Sequence, residues 1–561
     1  MKKLKIGILV DNFKAPKYYI DLINLISKDK DIFEDVVIFN QNLDESSHIN
    51  KIFLRRLFRK ISKEGFSSIL QSLILRFIFF IETSQMNKNK IYKKYNSLTA
   101  LENCLRTINI LPDISASGKI FSYNKDSINK ILSEDCDLIL RFSSGILQGK
   151  ILTTCKYGII SLHHGDNRSF RGLPAGFWEV FLSAPSTGFI IQKLNNELDG
   201  GDVLLRGNIM TASYWLLNAA NIQIKSIHFL YTLLRYIALN QQLPKKEEIC
   251  IYSEKIFRFP SFIYLIKYFI KIHVPAYAKK IIKIFSIRNY ENRWSVSYLK
   301  KNSINANLSK AHTIRFSQSG FLADPFVIER DDQAYCFVEE FSYKEKKGKI
   351  VAYLLNDSEA KPLGTVLEED FHLSFPYLVE SNNNLYMIPE SAENRDIRLY
   401  RNIIFPNVWE LDTILIDDVD AADSIVFFKD NTWFLLTNIC SSGLGDHQSE
   451  LHLYASTELD SDQWKPCEAN PIIFDSLKAR NGGFFTYNNK MYRVNQVHGK
   501  SHYGKSININ EIKDITTEAY TEDRICSIEP NFFKQINSVH HFDVSKNFIV
   551  FDHARFETIK K

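Results

Sequence analysis

A repeat in the second half of the chain is the feature that most constrains its fold. Each repeat has an apolar run, a polar turn of Asp, Asn or Gln, and a second apolar run. The repeats are 323–340, 374–391, 422–439, 481–498 and 529–546. A ring side chain recurs in them about every 50 residues, as Tyr335, Tyr386, Phe434, Tyr492 and His541. A period near 50 with paired strands is typical of a β-propeller. We therefore predict an all-β five-bladed β-propeller over 294–561, closed by a strand from 294–300 or 547–556.

The first part of the chain has a different pattern. Residues 4–10, 35–39 and 137–141 are short apolar runs typical of buried strands, and helix-length segments separate them. Strands alternating with helices predict an α/β doubly wound, parallel sheet, in which ligands bind at the carboxyl ends of the strands. The helical stretch 213–240 would close this domain, which we place at residues 1–243.

Two segments depart from this alternation. Residues 51–95 begin basic and become strongly apolar, which predicts a helical insertion packed on the sheet. Residues 244–293 form a predicted connector, and between 255 and 290 basic and aromatic residues are interleaved without an acidic one. Such a segment favours peripheral contact with an anionic membrane surface, or a helical linker whose aromatic side chains pack between domains.

Bulk composition narrows the class of protein. A length of 561 residues predicts two or three domains, and a net charge of +6 does not favour a nucleic-acid partner. The eight cysteines are scattered without a CxxC pair, so we expect neither a disulfide framework nor a metal site. Asp11 interrupts the first apolar run, which indicates a strand rather than a signal peptide, and no uninterrupted apolar run reaches spanning length. These features predict a cytoplasmic protein, membrane-associated on the cytoplasmic face if 255–290 binds lipid.

An ordered set of motifs lies between residues 156 and 210. His163 ends an apolar run, Arg171-Gly172 follows eight residues later, and Trp178 comes seven residues after Arg171. The later motif is Leu198-Asp199-Gly200-Gly201-Asp202. This set resembles the folate-dependent formyltransferase family, which includes methionyl-tRNA and sugar N-formyltransferases; the resemblance is strong over 135–210 and loose over 1–240.

The resemblance implies an amine attack on the formyl carbon of 10-formyltetrahydrofolate, with His163 and Asp199 as catalytic residues. An imidazole can donate to the oxyanion that forms, and a carboxylate can hold the imidazole and accept the amine proton. By the same resemblance Gly200, Gly201 and Asp202 would contact the cofactor. The family has Asn two residues before the His, where this chain has Ser161. Either Ser161, the third expected catalytic residue, or His164 substitutes for that Asn, or the chemistry has drifted.

The loop after His163 is polar where the family has an apolar one. We expect it to face the acceptor, with substrate-binding residues His164, Asp166, Asn167, Arg168 and Arg171. Arg168 would bind a phosphate of a nucleotide-sugar, or would pair with Asp166 at the surface.

The repeats, in particular the sequences ADPF and FVEE, resemble the N-terminal domain of plant glucosamine inositolphosphorylceramide transferases, a fold similar to arabinanase-type five-bladed glycosidases. The resemblance implies a glycan site built from carboxylates of different blades. Its expected residues are Asp324, Glu340, Glu390, Asp423 and Arg493, with Gln496 and His498 beside them. Carboxylates in such a site bind sugar hydroxyls, hydrolyse a glycosidic bond, or serve only as turn residues.

Together these features predict a bifunctional enzyme. The first domain would transfer a formyl group to an amino sugar, free or nucleotide-linked, in surface-polysaccharide or glycolipid biosynthesis, and the propeller would recognise the glycan. The alternatives are a glycosidase or glycosyltransferase centred on the propeller, a glycan-binding protein with an inactive formyltransferase domain, and a formyltransferase acting on tRNA. The modest charge disfavours tRNA.

Overall fold

The computed structural model describes most of the chain: residues 2–12, 14–43, 66–95, 98–100, 105–196, 201–248, 256–285, 289–301 and 306–559. The chain forms two compact units, residues 1–278 and 279–561. The boundary falls inside the predicted connector 244–293, and the three-part division made from the sequence stays a prediction.

The first unit alternates short strands with helices. Its strands are β1 (Ile6–Val10), β2 (Lys14–Pro16), β3 (Val37–Asn40), β4 (Leu98–Ala100), β5 (Arg106–Asn109), β6 (Pro112–Ile114), β7 (Ile120–Tyr123), β8 (Leu138–Phe142), β9 (Ile146–Leu147), β10 (Ile159–His163), β11 (Ser186–Lys193) and β12 (Asp202–Met210). Its helices are α1 (Lys17–Lys28), α2 (Phe66–Met86), α3 (Lys90–Tyr95), α4 (Lys125–Leu132), α5 (Phe177–Leu182), α6 (Trp215–Asn240), α7 (Phe262–Tyr268) and α8 (Val274–Phe285), with a π-helical turn at Phe269–His273 between the last two.

Seven of these strands form one mainly parallel sheet, in the order β12-β11-β10-β8-β1-β3-β5. β1 pairs in parallel with β3 on one side and with β8 on the other, so the sheet grows outward in both directions from β1. β11 and β12 form an antiparallel hairpin at one edge. The strands predicted at 4–10, 35–39 and 137–141 are confirmed as β1, β3 and β8. The sheet brings the carboxyl ends of β8 and β10 side by side, with His163 at the last position of β10.

The predicted helical segments are found with sharper bounds. Residues 213–240 contain a single helix, α6, one face of which is buried along Ile222, Leu230 and Leu234. The insertion predicted at 51–95 includes α2 and α3, while residues 51–65 lie outside the described part of the chain.

The second unit is built of strands. They are β13 (Asn289–Lys300), β14 (His312–Thr313), β15 (Gly320–Arg330), β16 (Gln333–Ser342), β17 (Lys347–Leu355), β18 (Ala360–Leu367), β19 (Ser374–Ser381), β20 (Asn384–Ser391), β21 (Asp396–Ile404), β22 (Val408–Ile416), β23 (Ala421–Lys429), β24 (Thr432–Ile439), β25 (Glu450–Ser456), β26 (Lys465–Pro466), β27 (Ile473–Phe474), β28 (Asn481–Tyr487), β29 (Lys490–Gly499), β30 (His502–Ile515), β31 (Tyr520–Ile528), β32 (Phe542–Val544) and β33 (Phe548–Ile559). Short 3-10 turns lie at Leu308–Lys310 and Ala392–Asn394, as one does at Lys150–Thr153 in the first unit.

These strands form successive antiparallel sheets that follow the repeat. Four of them begin at β15, β19, β23 and β28, and a fifth has the order β14-β13-β33-β32. β15 contacts β19 and β33, β23 contacts β20 and β28, and β28 contacts β32, so the inter-sheet contacts run in a cycle. The prediction of repeated antiparallel sheets is confirmed, and the five-bladed propeller stays a prediction.

Four of the five predicted repeats are tight hairpins. The two turn residues in each have positive φ near +50° and +60°; they are Asp331 and Asp332, Asn382 and Asn383, Asp430 and Asn431, and Asn488 and Asn489. Two consecutive positive φ angles define a type I′ turn, which Asn and Asp tolerate and which matches the twist of paired strands. The polar turns of the repeat are therefore its hairpin connections.

The fifth predicted repeat, 529–546, differs from the others. Its first apolar run forms no long strand; Phe532 and Phe533 instead pack as rings around Phe551. In the second apolar run only Phe542–Val544 form a strand, β32, which pairs with β33. Both candidate closing segments are used, since β13 pairs with β33 along its whole length from Asn289 to Lys300.

Candidate functional site

Each unit contains one cluster of candidate functional residues. In the first unit a cavity of about 480 Å³ opens beside the end of β10. Its walls carry a mixture of polar and apolar side chains: His163, Asn167, Arg171, Gly172, Leu173, Ile190, Gln192, Ile256, Phe257, Arg258 and Phe259. A cavity of this size with a few converging polar groups is the usual form of a small-molecule site.

The sheet positions His163 at this cavity. β10 runs parallel to β8 and antiparallel to β11, and His163 is paired with Ile190, which also lines the cavity. Ser161 lies two residues earlier and is paired with Gln192 and Arg141, with its side chain buried. Among the described residues that line the cavity, Asn167 and Gln192 carry carboxamides and Ser161 is not included.

The loop after His163 is held by a charged network. The guanidinium of Arg206 on β12 pairs with Asp166, donates to Oδ1 of Asn167 at 2.9 Å, and makes two 2.9 Å contacts with Glu247. The side chain of Arg168 also pairs with Glu247, at 3.0 Å, and its backbone N–H donates to Asp166. The hydrogen bond from Arg206 lowers the pKa of Glu247 and favours its charged form. The loop is thus fixed in shape, and the ion pair of Arg168 is with Glu247 rather than with Asp166.

His164 is directed away from this network. Its Nε2 lies 3.3 Å from Oγ of Ser226 on α6, and its ring meets that of Tyr18 edge-on. Burial, together with repulsion from His163, lowers the pKa of His164 to about 3. The imidazole is therefore neutral at physiological pH, which suits packing against α6 better than binding a phosphate.

A close backbone approach forms the rim of the cavity. The N–H of Phe257 donates to the carbonyl oxygen of Arg171 at 2.7 Å, and the N–H of Leu173 donates to that of Phe257 at 3.1 Å. A Cβ on Gly172, whose φ is +126°, would lie 2.0 Å from the carbonyl oxygen of Phe257. Only glycine fits this position, so the Arg171-Gly172 motif holds segment 256–259 against the cavity.

The predicted Leu-Asp-Gly-Gly-Asp motif is only partly described. Asp199 and Gly200 lie outside the described residues. Gly201 is close to Gln192, since an added Cβ would lie 3.0 Å from its Oε1. The side chain of Asp202 pairs with Lys246 at 2.9 Å, so it is engaged on the protein surface.

In the second unit, bulges place acidic side chains at equivalent positions. The register of β15 with β16 skips two residues at Asp324, and the corresponding skips occur at Phe375 and Asp423, all three with φ between +47° and +50°. In β28 the skipped residues are Gly482 and Gly483, so Asn481 lies one position before the place that Asp324 and Asp423 occupy in their strands. Bulges of this kind re-aim side chains, and here both carboxyl groups, of Asp324 and of Asp423, are buried.

Arg480 joins the acidic residues of different sheets. Its Nε lies 2.5 Å from Oδ2 of Asp423 and its Nη2 lies 3.3 Å from Oε2 of Glu390. Nε2 of Gln496 also donates to Asp423, at 3.1 Å. Burial alone would lower the pKa of Arg480, but the attraction of Asp423 and of Glu390 outweighs it and raises the pKa. The predicted residues Glu390 and Asp423 are thus brought together around a buried guanidinium.

Asp324 belongs to a second, adjoining group. His540 lies between two carboxylates, with Nε2 3.2 Å from Asp324 and Nδ1 2.7 Å from Asp552. Burial would lower the pKa of His540, but Asp552 and then Asp324 raise it to about 10. Burial likewise would raise the pKa of Asp324, but His540 outweighs it and lowers the pKa. The ring of His540 is also 4.0 Å from that of Trp294 and 5.3 Å from that of Tyr503.

Two of the predicted glycan residues lie apart from this cluster. The carboxylate of Glu340 is 3.7 Å from Lys349, whereas its neighbour Glu339 is buried near Asp324. Alternation along β16 explains the difference, because successive side chains point to opposite faces. The guanidinium of Arg493 is fully buried and contacts Glu522 at 2.5 and 2.8 Å and the carbonyl oxygens of Lys478 and Ala479.

Within the described residues, one acidic group has the geometry of a metal site. Asp324, His540 and Asp552 each offer a ligand atom, and these atoms lie within 4.8 Å of one another. The three side chains also form an ion-pair network, in which His540 lies between the two carboxylates. The sequence expectation that no metal is needed stays a prediction.

Sequence reasoning missed several members of both clusters. In the first unit it missed Gln192 and Arg206, which lie within 156–210 but outside the motif residues themselves, and Glu247, which lies beyond that span. In the second it missed Glu339, Arg480, His540 and Asp552. A signal for His540 existed, because it precedes His541, the ring position of the fifth repeat.

Comparison with known proteins identifies relatives of the second unit. Residues 281–546 match the family model described as glucosamine inositolphosphorylceramide transferase 1, N-terminal. The chain is 35% identical over 239 residues to glucosamine inositolphosphorylceramide transferase 1 of Arabidopsis thaliana, covering 41% of this chain and 31% of the relative. It is 32% identical over 210 residues to the protein of that name from Oryza sativa subsp. indica, covering 36% and 28%. The chain thus spans about a third of the length of these relatives, and the resemblance predicted for its second half is confirmed.

Solved structures give weaker likenesses to both units. Glycinamide ribonucleotide transformylase 1 from Symbiobacterium toebii is 9% identical with a TM-score of 0.27, over 43% of this chain and 91% of that one. A 4-N formyltransferase from Francisella tularensis is 14% identical with a TM-score of 0.26, over 46% and 76%. The α-L-arabinanase of Cellvibrio cellulosa is 12% identical with a TM-score of 0.29, over 36% and 77%. Likenesses with such scores carry no argument.

Proposed function

We propose that the chain is a transferase of glycan biosynthesis whose first unit transfers a formyl group from 10-formyltetrahydrofolate to the amino group of a sugar. The observation that carries the proposal is His163 at the carboxyl end of a parallel strand, lining a cavity of about 480 Å³ with Asn167 and Arg171. The ordered motif around His163 supplies the reaction class, and the relatives named as glucosamine inositolphosphorylceramide transferases support a glycan-related pathway.

Formyl transfer can be written as a balanced reaction. The amine nitrogen bonds to the formyl carbon, the bond from that carbon to the folate nitrogen breaks, and one proton passes from the amine to that nitrogen. His163 would donate to the oxyanion and Asp199 would accept the amine proton. Asn167 lies on the same wall, with its Oδ1 held by Arg206, so its carboxamide would supply the donor that the family obtains two residues before the His.

The acceptor site follows from the charges of the loop. Arg171 and Arg258 both line the cavity, and we assign Arg171, which belongs to the motif after His163, to a phosphate of a nucleotide-linked sugar. Arg168 is paired with Glu247 and would have to exchange that partner to bind one. We therefore assign phosphate recognition to Arg171 first, and orientation of the loop to the Arg206–Glu247 pair.

The test is formyl transfer by the full chain, with 10-formyltetrahydrofolate and a panel of amino sugars, free and nucleotide-linked, followed by release of tetrahydrofolate. His163→Ala should lower kcat by about 10²-fold or more, Asn167→Ala by about 10²-fold, and Ser161→Ala by much less. His312→Ala, an exposed histidine of the second unit, is the matched control. Failure to release tetrahydrofolate with every acceptor, or full activity of His163→Ala, would overturn the proposal.

For the second unit we propose a five-bladed propeller that binds the glycan. Its five antiparallel sheets and their cyclic contacts support the fold. The carboxylates of Asp324, Asp423 and Glu390 can accept from sugar hydroxyls. The ring of Tyr503, which is 41% exposed and lies 5.3 Å from that of His540, offers an apolar surface on which a sugar ring can pack. Calorimetric titration with oligosaccharides should show binding that Asp423→Asn weakens at least about tenfold and Glu340→Gln leaves unchanged; equal loss in both variants would contradict this site.

One observation favours glycoside hydrolysis as a second function of this unit. Burial and the charge of Asp324 raise the pKa of Glu339, while His540 lowers the pKa of Asp324, so the protonated form is favoured in one carboxyl and the ionised form in the other. Such a separation is what an acid and base pair requires. Release of reducing sugar that is abolished in both Glu339→Gln and Asp324→Asn would establish it; binding without release would leave glycan recognition alone.

A further inference from the structure

Helix α2 exposes a continuous apolar stripe. Ile69, Leu73, Phe77 and Phe80 all stand in solvent, and Phe80 is 73% exposed. They follow one another at intervals of four, four and three residues, which places them on one face of the helix. The other face is buried, with Ile78 and Glu82 both at 0%. A soluble helix normally turns its apolar stripe inward, so the outward stripe of α2 needs an apolar neighbour.

A second stripe runs along α7, the π-helical turn and the start of α8. Its exposed members are Ile263, Ile266, Ile270, Val274 and Tyr277, again at intervals of three and four. Leu265, Tyr268 and His273 form the buried face of the same segment. The two stripes belong to helices in contact, since α2 packs on α7 and the ring of Phe77 lies 5.6 Å from that of Phe269. We call the two stripes together the two-helix face.

The charges around the two-helix face are all of one sign. Arg76, Arg258, Lys267 and Lys271 are exposed on the same segments. The acidic residue within 66–86 is Glu82, which is fully buried, and residues 256–277 contain none. An apolar surface whose own segments, 66–86 and 256–277, carry exposed cations and no exposed carboxylate is complementary to an anionic lipid bilayer.

Glu82 decides how α2 would meet a membrane. Residues Ile69–Met86 are long and apolar enough to span one by length and composition, which differs from the sequence expectation because Arg76 and Glu82 interrupt the run without making it polar. The carboxylate of Glu82, however, accepts from the hydroxyl of Tyr268 at 2.6 Å and the N–H of Leu216 at 2.8 Å, and contacts His273 at 2.9 Å. These contacts fix α2 against α6 and α7, so only its outward stripe is free to enter lipid.

The two-helix face also adjoins the cavity of the first unit. Ile256 and Phe259 line that cavity, are themselves exposed, and directly precede α7. The oxygen of Pro260 accepts from Nε2 of Gln71 at 2.6 Å, which ties this segment to α2. A surface that received the stripes would therefore lie beside the cavity mouth.

We propose that the first unit docks on the surface of an anionic phospholipid bilayer through the two-helix face. The stripes of α2 and of α7–α8 enter the boundary between head groups and acyl chains, and the four cations lie at the level of the phosphates. The protein is then peripheral, with both helices parallel to the membrane plane. This docking does not depend on formyl transfer, although it brings the cavity to the membrane.

The test is co-sedimentation of the full chain with vesicles of phosphatidylcholine alone or with about a third phosphatidylserine. Binding should require the anionic lipid and should fall as salt is raised. Leu73→Ser with Ile270→Ser should weaken binding at least about tenfold by removing apolar contacts. Arg76→Gln with Lys267→Gln should weaken it about fivefold for each charge, as expected for one charge near an anionic surface.

Matched controls come from elsewhere in the same unit. Leu111 and Leu132 are 61% and 50% exposed, so Leu111→Ser with Leu132→Ser removes equal apolar area outside the face. Lys130→Gln with Lys150→Gln serves as the charge control, and circular dichroism verifies the fold of every variant. Equal binding to neutral vesicles, equal loss in the controls, or no sedimentation would overturn the proposal. Resistance to carbonate extraction would show that α2 spans the membrane. Dimers that Leu73→Ser dissociates would show that a second copy of the chain covers the face. Either result would also overturn the proposal of peripheral docking.

Discussion

Glu179 is a buried acid in the first unit with an unusual charge state. It lies on the short helix α5 and is 2% exposed. Burial, reinforced by the charge of Asp166, raises its pKa to about 7. Asp166 belongs to the loop that carries the predicted acceptor residues, so the charge of this loop affects the protonation of Glu179. The protonation of Glu179 is therefore part of the stability of the site.

Glu179 predicts a definite pH dependence of folding. Because its pKa is raised in the folded chain, the stability it contributes is complete below about pH 4.5 and is lost as the pH rises through about 7. The loss is about 3 kcal/mol across that window. Glu179→Gln should remove this slope and be the more stable form at pH 8, measured by urea unfolding of the first unit. The exposed Glu248→Gln should keep the parent slope; the same slope in Glu179→Gln would contradict the assignment.

Single residues also show how far sequence reasoning reaches. His163 was predicted from spaced motifs, and the sheet confirms its position at the end of a strand, because such motifs report local structure. Glu340 was predicted in place of Glu339, since two adjacent acids give no sign of which face of β16 points inward. Arg206 and Glu247 could not have been predicted, because their contacts to the 164–168 loop depend on how β12 and the segment after α6 pack against that loop.

At the scale of elements, one buried carboxylate joins three helices of the first unit. Glu82 on α2 accepts from the first turn of α6 and from Tyr268 at the end of α7. The N-terminus of a helix favours a negative charge, so the contact with Leu216 also stabilises α6. The position of α2 rests on this residue and on few others, because most of its remaining apolar surface faces outward.

Removal of Glu82 should therefore release α2. Glu82→Ala leaves the Tyr268 hydroxyl and the Leu216 N–H buried without this acceptor, and should cost about 3 kcal/mol. Gln85→Ala, on the same helix, should change stability by about 0.5 kcal/mol or less. Hydrogen exchange gives a second measurement, in which the amide of Leu216 exchanges faster in Glu82→Ala alone. Equal exchange in both variants would show that α2 is held by other contacts.

Elements were predictable where a local rule sets them. The four hairpins of the second unit follow from Asp and Asn pairs between apolar runs, since those residues adopt the positive φ of a type I′ turn. The fifth repeat lacks such a pair at its centre, where Gln535 and Asn537 stand, and it forms no hairpin like the others. The period of about 50 residues is therefore present in the sequence, but in the fifth repeat the central residues do not form the turn that a hairpin requires.

At the scale of the second unit, its first and last strands are partners. β13 and β33 pair over twelve residues, from Asn289 with Ile559 to Lys300 with Phe548. The side chains of Val296, Tyr298 and Val550 share one apolar core with Leu322 and Val338 of the next sheet. The sequence offered two closing strands as alternatives, and they are β13 and β33, which pair with each other. This pairing satisfies the backbone hydrogen bonds of both strands, and the pattern of a single repeat gives no sign of it.

The pairing of β13 with β33 predicts that the second unit unfolds as a whole when these two strands are separated. Val550→Asp places a carboxylate at a fully buried position of β33 and should cost about 4 kcal/mol or more, whereas Phe556→Asp, at an exposed position of the same strand, should be nearly neutral. Fluorine NMR of 5-fluorotryptophan protein can follow this residue by residue. In Val550→Asp the resonances of Trp294, Trp409 and Trp433, which belong to three different sheets, should move together to unfolded positions, while Trp178 and Trp215 of the first unit stay native. A change confined to Trp294 would mean that each sheet is stable without the closing pair, and that the cyclic contacts contribute little to the stability of the unit.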